Sequence, residues 1–375
     1  MRKRLNILQL INVRWYNACA HYAVSLSCAL KKRGHRVMVA GDPHSPPILK
    51  AKELGISTYG DLFLSHTSPW MIAYNVKRMV DLVEKEGIDI INAHRGESHL
   101  VAALATKFLK RKIPLIRTRG DVRTPKANLF NRYFNDKLTH KIITTCGVLK
   151  RSYVKNLTIP EEKVVNIGGG VDHDFYSPRE GDRIWREKLS IPKGSLVVGI
   201  LGRLSPVKGH KYFIQSAEYV LKQMPHTIFI ICGEDAQVRA DDLKETAQRM
   251  NIKEKFRFVG KVRDPREIIS LFDIGVVSSV GSETICRVAL EYMSMGKPTV
   301  GTSVNAIPEV VRHGVNGLVV EPENAEKLAF ALIELLQDEP KRKRFGEKSR
   351  SMVLEKFTLN VFAQKTEEVY FSLLN

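Results

Sequence analysis

The sequence is poor in cysteine and has no long run of apolar residues. Its five cysteines, among 375 residues, are odd in number, scattered along the chain and without a C-x-x-C pair. This pattern argues against a disulfide framework and against a zinc site. No stretch approaches the roughly 18 consecutive apolar residues of a membrane-spanning helix. The composition, 43% hydrophobic and 26% charged, is typical of a soluble globular protein.

The N-terminal stretch "MRKRLNILQLINVRWYN" places positive residues before a short apolar run, as a secretory signal peptide does. The apolar run is too short, and charge resumes at Arg14 without a small-residue cleavage site. We therefore interpret this stretch as a first β-strand and expect a cytoplasmic protein.

The net charge of +19 is distributed unevenly. Residues 1–180 contain 30 lysines and arginines against 15 acidic residues, whereas residues 181–375 contain 29 against 25. The basic first half indicates an anionic partner, either nucleic acid, a phosphorylated saccharide or an anionic membrane. A merely soluble basic surface explains any single cluster equally well.

Short aliphatic strands alternate with helical patterns along the chain, which predicts βαβ units and parallel sheets with both faces covered. The alternation pauses at residues 166–194, which are rich in glycine, proline and charge, and then resumes. The fold class expected is α/β, with two Rossmann-like doubly wound domains facing each other across a cleft. The expected domains are 1–172, 173–355 and a C-terminal helix, 356–375, that packs back toward the first domain. The predicted strands are Leu5–Ile11, Arg36–Ala40, Asp89–Ala93, Pro114–Thr118, Lys141–Thr145, Leu196–Leu201, Thr227–Cys232, Phe256–Val259, Ile274–Ser278 and Pro298–Val300.

The loop "GRLSPVKGH" directly follows the first strand of the second half. Gly202 permits a sharp turn and close backbone approach to a ligand. Arg203 and Lys208, a planar fork and a point charge, suit a diphosphate. Gly233 ends the next strand and would leave room for a flat group such as a base. The alternative is an ordinary strand-to-helix turn with solvated charges.

The stretch "SETICRVALEYMSMGKP" places two glutamates eight positions apart. We expect a helix over Ile285–Met295, with Ser282 or Thr284 as its N-cap. The amides near its start, around Arg287 and Val288, would form a phosphate site. Glu283 in the loop would then accept hydrogen bonds from a polyhydroxylated group, and Glu291, about two turns into the helix, would bind a ribose diol. A solvated glutamate on a helix face is the alternative for Glu291.

In this order, "GRLSPVKGH", "FVGKV", "SETICRVALEYMSMGKPTVGT" and "IPEVVRHGVNGLVV" resemble the retaining GT-B glycosyltransferases of family four. The segment "NIGGGVDHDFYSP" is similar to that family's N-G-V-D-x-x-x-F-x-P linker, and the two glutamates reproduce its E-x7-E spacing. The resemblance implies a nucleotide-diphosphate sugar as donor substrate. It gives catalytic roles to Glu283, Arg203 and Lys208, and donor contacts to Gly202, Gly233, Arg287, Val288 and Glu291. The resemblance also implies that no metal and no cofactor is needed, and the sequence contains no D-x-D motif.

The first half departs from the family pattern at two places. The Gly-Gly loop after the first strand is replaced by "RWYNACAHYAV", and the T-x-H-G segment reads "TRGD". Arginines occupy this second loop and predict a reader of phosphate or carboxylate groups. The expected acceptor-side residues are His94, Arg95, Arg119 and Asp121. A structural role for His94 is the alternative.

The sequence therefore predicts transfer of a sugar, with retention, to a glycan or lipid-linked acceptor, including a phosphorylated one. Cell-envelope polysaccharide or lipopolysaccharide synthesis fits, with the enzyme peripheral at the inner face of the cytoplasmic membrane on an anionic lipid surface. Three alternatives stay open: a nucleotide-sugar epimerase of the same fold, a non-catalytic paralogue and a basic nucleic-acid-binding protein. The basic residues show no aromatic-interleaved motif, so no nucleic-acid partner is expected.

Overall fold

The computed structural model describes residues 3–123 and 125–374. Thr124, in the arginine-rich loop, and the outermost residues of the expected domains therefore lie outside the described residues. The chain divides into two compact units. The first unit combines the chain up to Gly170 with the segment from Leu359 onward, and the second unit is Val171–Thr358.

The regular elements alternate along both units. The strands within the described residues are β1 (Asn6–Leu10), β2 (Arg36–Ala40), β3 (Ser57–Tyr59), β4 (Ile90–Ala93), β5 (Leu115–Arg119), β6 (Lys141–Thr144), β7 (Val164–Asn166), β8 (Val197–Leu201), β9 (Ile228–Cys232), β10 (Phe256–Val259), β11 (Ile274–Val277), β12 (Thr299–Thr302) and β13 (Gly317–Val320). The helices are α1 (Ala18–Lys32), α2 (Pro46–Glu53), α3 (Pro69–Lys85), α4 (Gly96–Ala105), α5 (Leu129–Lys137), α6 (Gly147–Asn156), α7 (Arg183–Lys188), α8 (His210–Gln223), α9 (Ala240–Arg249), α10 (Pro265–Ser270), α11 (Arg287–Ser294), α12 (Ile307–Val310), α13 (Ala325–Gln337), α14 (Glu339–Met352) and α15 (Leu359–Phe371). None of these helices is long and apolar enough to cross a bilayer.

The first unit contains a seven-stranded parallel sheet in the order β3-β2-β1-β4-β5-β6-β7. The N-terminal apolar run forms β1 at the centre of this sheet, as expected, with Leu8 and Leu10 fully buried. Strand order reverses between β1 and β4. In doubly wound sheets, ligands bind beyond the carboxyl ends of strands at such a reversal.

The second unit contains a six-stranded parallel sheet in the order β10-β9-β8-β11-β12-β13. Its core includes the rings of Phe213, Phe229 and Phe256, with centroids 5.2–6.2 Å apart. Strand order reverses between β8 and β11, which lie side by side. The predicted pair of Rossmann-like parallel sheets is confirmed.

Three strands escape the sequence prediction: β3, β7 and β13. Each of them lies at an edge of its sheet. They are only three or four residues long, and each includes partly exposed positions. β3 (STY) and β7 (VVN) contain polar residues and lack the continuous apolar run by which buried parallel strands are identified, whereas β13 (GLVV) is apolar but only four residues long.

The C-terminal helix α15 is joined to the first unit by a buried ion cluster. Its Glu367 carboxylate accepts hydrogen bonds from His35 Nε2 at 2.6 Å and from Arg33 Nε and Nη2 at 3.1 and 2.7 Å. His35 Nδ1 accepts the N–H of Leu5 at 3.1 Å, so Nε2 carries the proton that points at Glu367. Burial alone would raise the pKa of Glu367, but the hydrogen bonds from Arg33 and His35 outweigh it and lower the pKa to about 2.

Replacing Glu367 by glutamine should destabilise the protein at neutral pH by about 1–3 kcal/mol, because Arg33 loses its buried anion. The lowered pKa means that wild type keeps this stabilisation above the ordinary glutamate value of 4.5 and loses it as pH falls toward about 2. Chemical denaturation of Glu367→Gln and wild type over this pH range measures the difference, which should shrink with acidification.

The exposed neighbour Glu368 provides a matched control. Glu368→Gln should leave the free energy of unfolding within about 0.5 kcal/mol of wild type, as is usual for surface substitutions. Equal stability of all three proteins at neutral pH would show that the ion cluster does not hold α15.

Candidate functional site

A pocket at the carboxyl ends of β8 and β11 collects several of the predicted donor-site residues. Ile200 and Val277 form part of its floor, Lys208 and Glu283 line it from the loops above the strands, and Val288 lines it from the first turn of α11. This position is the strand-order reversal of the second sheet. The place where a doubly wound sheet binds ligands therefore coincides with the predicted site.

The loop carrying Lys208 is tied to the end of β11. Gly209 has φ +69°, and a Cβ built there would lie 1.9 Å from the carbonyl oxygen of Ser278. Ser278 Oγ in turn donates to the carbonyl oxygens of Lys208 and Gly209 at 3.0 and 3.2 Å. Only glycine allows this approach, since any side chain would force the two loops apart. The contact brings Lys208 over the pocket.

Glu283 is buried beneath this loop, with 7% of its surface exposed. Its Oε1 atom accepts hydrogen bonds from Lys208 Nζ and from Ser279 Oγ, the latter at 3.0 Å. The backbone oxygen of Glu283 accepts the N–H of Ala306 at 2.8 Å. A buried carboxylate needs such partners. Lys208 and Glu283 form an ion pair, so the interpretation of Lys208 as a merely solvated charge is wrong.

The helix after Glu283 starts later than the sequence predicts. It spans Arg287–Ser294 rather than Ile285–Met295, and its N-cap is Cys286 rather than Ser282 or Thr284. Ser282 and Cys286 both have left-handed backbones, with φ +58° and +54°, which no helix tolerates. The N-cap prediction is therefore wrong, and Glu291 lies about one turn into the helix instead of two.

The first turn of α11 faces the pocket, which Cys286, Val288 and Ala289 help to line. The amides of a first helical turn have no carbonyl partner within their own helix. Together with the positive end of the helix dipole, they attract anionic groups. The pocket thus combines an ammonium group, a carboxylate and a helix start.

Glu291 is almost completely buried, with 3% of its surface exposed. The interpretation as a solvated helix-face glutamate is therefore wrong. Arg287 Nε lies 3.4 Å from its Oε1 atom. Burial raises the pKa of Glu291, while Arg287, Tyr176 and Lys208 oppose the rise. Lys208 consequently stabilises negative charge on both glutamates.

Tyr176 is the residue of this site that the sequence prediction misses. It belongs to "DFYSP", part of the predicted linker between the two halves of the chain. Burial and the neighbouring Glu291 raise the pKa of its hydroxyl, so Tyr176 stays protonated and can donate. No spacing rule relates Tyr176 to Glu291, because 115 positions separate residues 176 and 291 along the chain.

Arg203 and Gly233 differ from the other predicted donor residues in their surroundings. The Arg203 side chain is exposed, and no ion pair is found for it among the described residues. Gly233 packs against the preceding loop, since a Cβ there would lie 1.9 Å from the carbonyl oxygen of Gly202. The close approach of the loops after β8 and β9 is therefore enough to explain a glycine at position 233, without a ligand. Donor contacts by these residues stay predictions.

In the first unit, His94 is buried at the end of β4 with 4% exposure. Its Nε2 lies 2.7 Å from Gln9 Oε1, and Gln9 Nε2 donates to the hydroxyl of Tyr370 at 3.2 Å. Burial, followed by the charge of Arg117, lowers the pKa of His94 to about 3. The imidazole is therefore neutral and donates its Nε2 proton to Gln9. These contacts are those of a structural histidine, and a role toward an acceptor stays a prediction.

The other three acceptor-side residues lie together at the carboxyl ends of β4 and β5. Arg95 Nη1 is 3.4 Å from Asp121 Oδ2, and Arg119 Nε donates to the carbonyl oxygen of Asp121 at 3.2 Å. Asp121 also accepts the N–H of Arg123 at 3.0 Å. Cys19, from the segment that replaces the Gly-Gly loop, donates its thiol to Gly120 at 3.2 Å. The structure thus joins the two departures from the family pattern in one arginine-rich loop cluster.

Across residues 3–123 and 125–374, no three His, Cys, Asp or Glu side chains are grouped so that they could hold a metal ion. The cationic side chains beside the pocket are those of Lys208 and Arg287.

Comparisons with known proteins agree with this geometry. The family model "Glycosyltransferase Family 4" matches residues 20–175, and the model "Glycosyl transferases group 1" matches residues 181–352. A galactosyltransferase of Escherichia coli, UDP-Gal:alpha-D-GlcNAc-diphosphoundecaprenol alpha-1,3-galactosyltransferase, is 23% identical, with 78% of each chain covered.

Solved structures share the fold over nearly the full length of the chain. A glycosyltransferase from Rickettsia africae superposes with a TM-score of 0.88 at 21% identity, covering 99% of both chains. HepE from Anabaena, solved in complex with UDP and glucose, superposes with a TM-score of 0.82 at 20% identity, covering 98% of this chain and 100% of HepE. With both of its halves matched by glycosyltransferase family models and its two parallel sheets shared with these structures, the chain belongs to the family-four type of GT-B glycosyltransferases.

Proposed function

We propose that the protein is a retaining glycosyltransferase that moves a sugar from a nucleotide-diphosphate sugar to a glycan or lipid-linked acceptor. The observation that carries the proposal is the pair of buried carboxylates, Glu283 and Glu291, on either side of the first turn of α11. Lys208 interacts with both of them. Glu283, the first turn of α11 and Glu291 follow one another in the order of the sugar, the diphosphate and the ribose of a nucleotide-diphosphate sugar.

Each part of the donor has a partner in this scheme. Glu283 accepts hydrogen bonds from the sugar hydroxyls, and Glu291 accepts them from the ribose diol. Lys208, the flexible exposed Arg203 and the amides of Arg287 and Val288 neutralise the diphosphate. These groups supply the charge that a metal would otherwise supply, so we propose that catalysis needs neither metal nor cofactor. HepE, which shares the fold, was solved with UDP and glucose.

Transfer then proceeds on one face of the sugar. The bond between the anomeric carbon and the donor phosphate oxygen breaks, through an oxocarbenium-like transition state. The acceptor oxygen forms its bond to the same face, and its proton passes to the leaving phosphate oxygen. The products are the glycosylated acceptor and a nucleoside diphosphate. Lys208 and the helix start stabilise the negative charge that develops on the leaving group.

For the acceptor we propose a lipid-linked or phosphorylated glycan of the cell envelope, as in polysaccharide or lipopolysaccharide synthesis. Arg95 and Arg119 belong to the loop cluster of the first unit, where guanidinium groups suit phosphate and carboxylate oxygens. The E. coli relative is named for a diphosphoundecaprenol-linked substrate. A basic first half is consistent with acceptors of this kind.

Helix α5 supports contact with an anionic membrane at the inner face of the cytoplasmic membrane. Its residues Leu129, Phe130 and Tyr133 are 85%, 61% and 53% exposed, although Phe134 beside them is buried in the core. Exposed Arg132 lies among these apolar side chains. Apolar groups inserted at the headgroup level, with cations facing anionic lipids, are typical of proteins held peripherally at membranes.

Glu283→Gln should lower kcat by at least about tenfold, because the sugar loses an anionic acceptor of its hydrogen bonds. Arg203→Ala should raise the donor Kd by about tenfold with little effect on stability, since its side chain is exposed. The donor is first identified by a thermal-shift screen of nucleoside diphosphates and their sugars. Turnover is then followed as nucleoside diphosphate released, with and without acceptor.

Exposed Arg183 on α7 gives a matched control, because it pairs only with Glu187 on its own helix within the described contacts. Arg183→Ala should bind donor as wild type does. We expect wild type to release nucleoside diphosphate only when an acceptor is present, and to continue doing so in EDTA. An epimerase would release no nucleoside diphosphate. Full turnover in Glu283→Gln together with full donor affinity in Arg203→Ala would overturn the assignment.

Replacing Leu129 and Phe130 by serine should weaken binding to phosphatidylglycerol-containing vesicles by about tenfold or more, because two exposed apolar side chains are removed. Co-sedimentation measures binding, which should also fall as salt rises above about 0.1 M. Ile184→Ser, which changes a residue of the second unit that is 75% exposed, should bind as wild type does. Binding that ignores both salt and the α5 variant would contradict the membrane proposal.

A further inference from the structure

Ser279, two residues after β11, is one of two side chains that hold the carboxylate of Glu283. Its hydroxyl donates to Glu283 Oε1 at 3.0 Å, and only 1% of the serine surface is exposed. Lys208 Nζ donates to the same oxygen. Among the contacts of the described residues, no hydrogen bond reaches Oε2 of this carboxylate. The protein thus holds one oxygen of Glu283 and leaves the other for a ligand.

The backbone around Ser279 is fixed independently of its hydroxyl. The Ser279 carbonyl oxygen accepts a hydrogen bond from the hydroxyl of Thr302, the last residue of β12, at 2.5 Å. The N–H of Val280 donates to the carbonyl oxygen of Val207 at 2.9 Å, which ties this loop to the loop that carries Lys208. Loss of the Ser279 hydroxyl would leave both bonds in place.

The two partners of Glu283 differ in what a bound donor would do to them. In the proposed function, Lys208 also neutralises the diphosphate. Its side chain is 29% exposed, and a lysine ammonium is a point charge on a flexible stem. Ser279 is buried, and its short side chain starts from a fixed backbone. Ser279 is therefore the partner that can keep its contact with Glu283 while Lys208 turns toward the phosphates.

We propose that Ser279 is a positioning residue for Glu283: its hydroxyl holds Oε1 so that Oε2 accepts a hydrogen bond from a hydroxyl of the donor sugar. The inference rests on the proposed function, in which Glu283 binds the sugar. Within that function it assigns part of the affinity for the sugar to a hydrogen bond inside the protein. The serine acts through Glu283 and needs no contact with substrate.

The expected effect is confined to the sugar part of the donor. The last torsion of a glutamate side chain has no sharp preferred value, so a carboxylate without its serine partner can turn. A turned carboxylate presents its free oxygen less often to the sugar. A nucleoside diphosphate lacks that sugar, and its binding should not depend on the orientation of Glu283. Damage to the whole pocket would weaken both ligands.

The experiment compares a nucleotide sugar with its nucleoside diphosphate by titration calorimetry without acceptor. UDP and UDP-glucose, GDP and GDP-mannose, ADP and ADP-glucose, and dTDP and dTDP-glucose are tested on wild type. The pair with the tightest nucleotide sugar is used for the variants. Ser279→Ala should bind the nucleotide sugar about fivefold more weakly, whereas its Kd for the nucleoside diphosphate should stay within about twofold of wild type.

Ser216→Ala is the matched control, because it removes the hydroxyl of another fully buried serine of the same unit, which donates to the carbonyl oxygen of Phe213 at 2.8 Å. This variant should bind both ligands as wild type does. Ser279→Cys fills the site with a thiol, which is a weak donor, and should lose affinity as Ser279→Ala does. Thermal denaturation checks that each variant is folded.

A double variant tests whether the serine acts through Glu283. In a Glu283→Ala background, Ser279→Ala should change the Kd for the nucleotide sugar by less than about twofold, because the carboxylate that it positions is gone. A serine that contacts the sugar itself, or that only shapes the loop, would weaken binding equally in both backgrounds.

The outcomes distinguish the inference from the function on which it rests. If Glu283→Ala weakens binding of the nucleotide sugar and Ser279→Ala does not, the positioning role is overturned and the donor site stands. Equal weakening of both ligands by Ser279→Ala, equal loss in both backgrounds, or wild-type binding by Ser279→Cys also overturns positioning. If Glu283→Ala binds the nucleotide sugar like wild type, or wild type binds none of the four pairs, the donor assignment itself fails and the inference with it.

Discussion

The second unit is organised around the need of a buried carboxylate for hydrogen-bond donors. Leaving one such group unpaired costs several kcal/mol, comparable with much of the stability of a domain. Glu283 is supplied by Lys208 and Ser279, and Glu291 has Arg287 beside it. These partners come from the loop before α8, the loop after β11 and the start of α11. The fold must bring them to one strand-order reversal, and the contact between Gly209 and Ser278 is part of how it does so.

The partly buried ion pair of Lys208 and Glu283 is better explained by ligand binding than by a contribution to stability. An apolar pair of similar volume in place of Lys208 and Glu283 would cost less desolvation, as buried ion pairs generally show. The chain nevertheless keeps charge beside a pocket and a helix start. A preorganised carboxylate and ammonium cost no further reorganisation when a ligand arrives, which is the condition for stabilising a transition state. The arrangement is therefore understandable through ligand binding more than through folding.

The sequence predicts the central strands and most donor residues because their signals are local. Buried runs such as Ile228–Cys232 are apolar throughout, and Lys208 follows its strand at a fixed distance. Edge strands, the left-handed Cys286 and the partner of Glu291 depend on tertiary structure instead. The segment around Tyr176, for example, is held by Ser294 and Arg350, which are distant from it in the sequence. Helix α11 starts two residues later than predicted, at Arg287 instead of Ile285. The left-handed backbones of Ser282 and Cys286, which precede it, cannot be recognised from the residue types.

The three proposed contacts, with donor, acceptor and membrane, differ in how far water screens the charges that make them. Glu291 and Glu283 are almost wholly buried, so dissolved ions weaken their interactions little. The basic side chains of α5 are exposed, and at physiological salt their attraction decays over about 8 Å. Arg95 and Asp121 are intermediate, with side chains 28% and 24% exposed. Rising ionic strength should consequently weaken the proposed membrane contact most, acceptor binding less and donor binding least. Salt dependence therefore ranks the three proposed interactions.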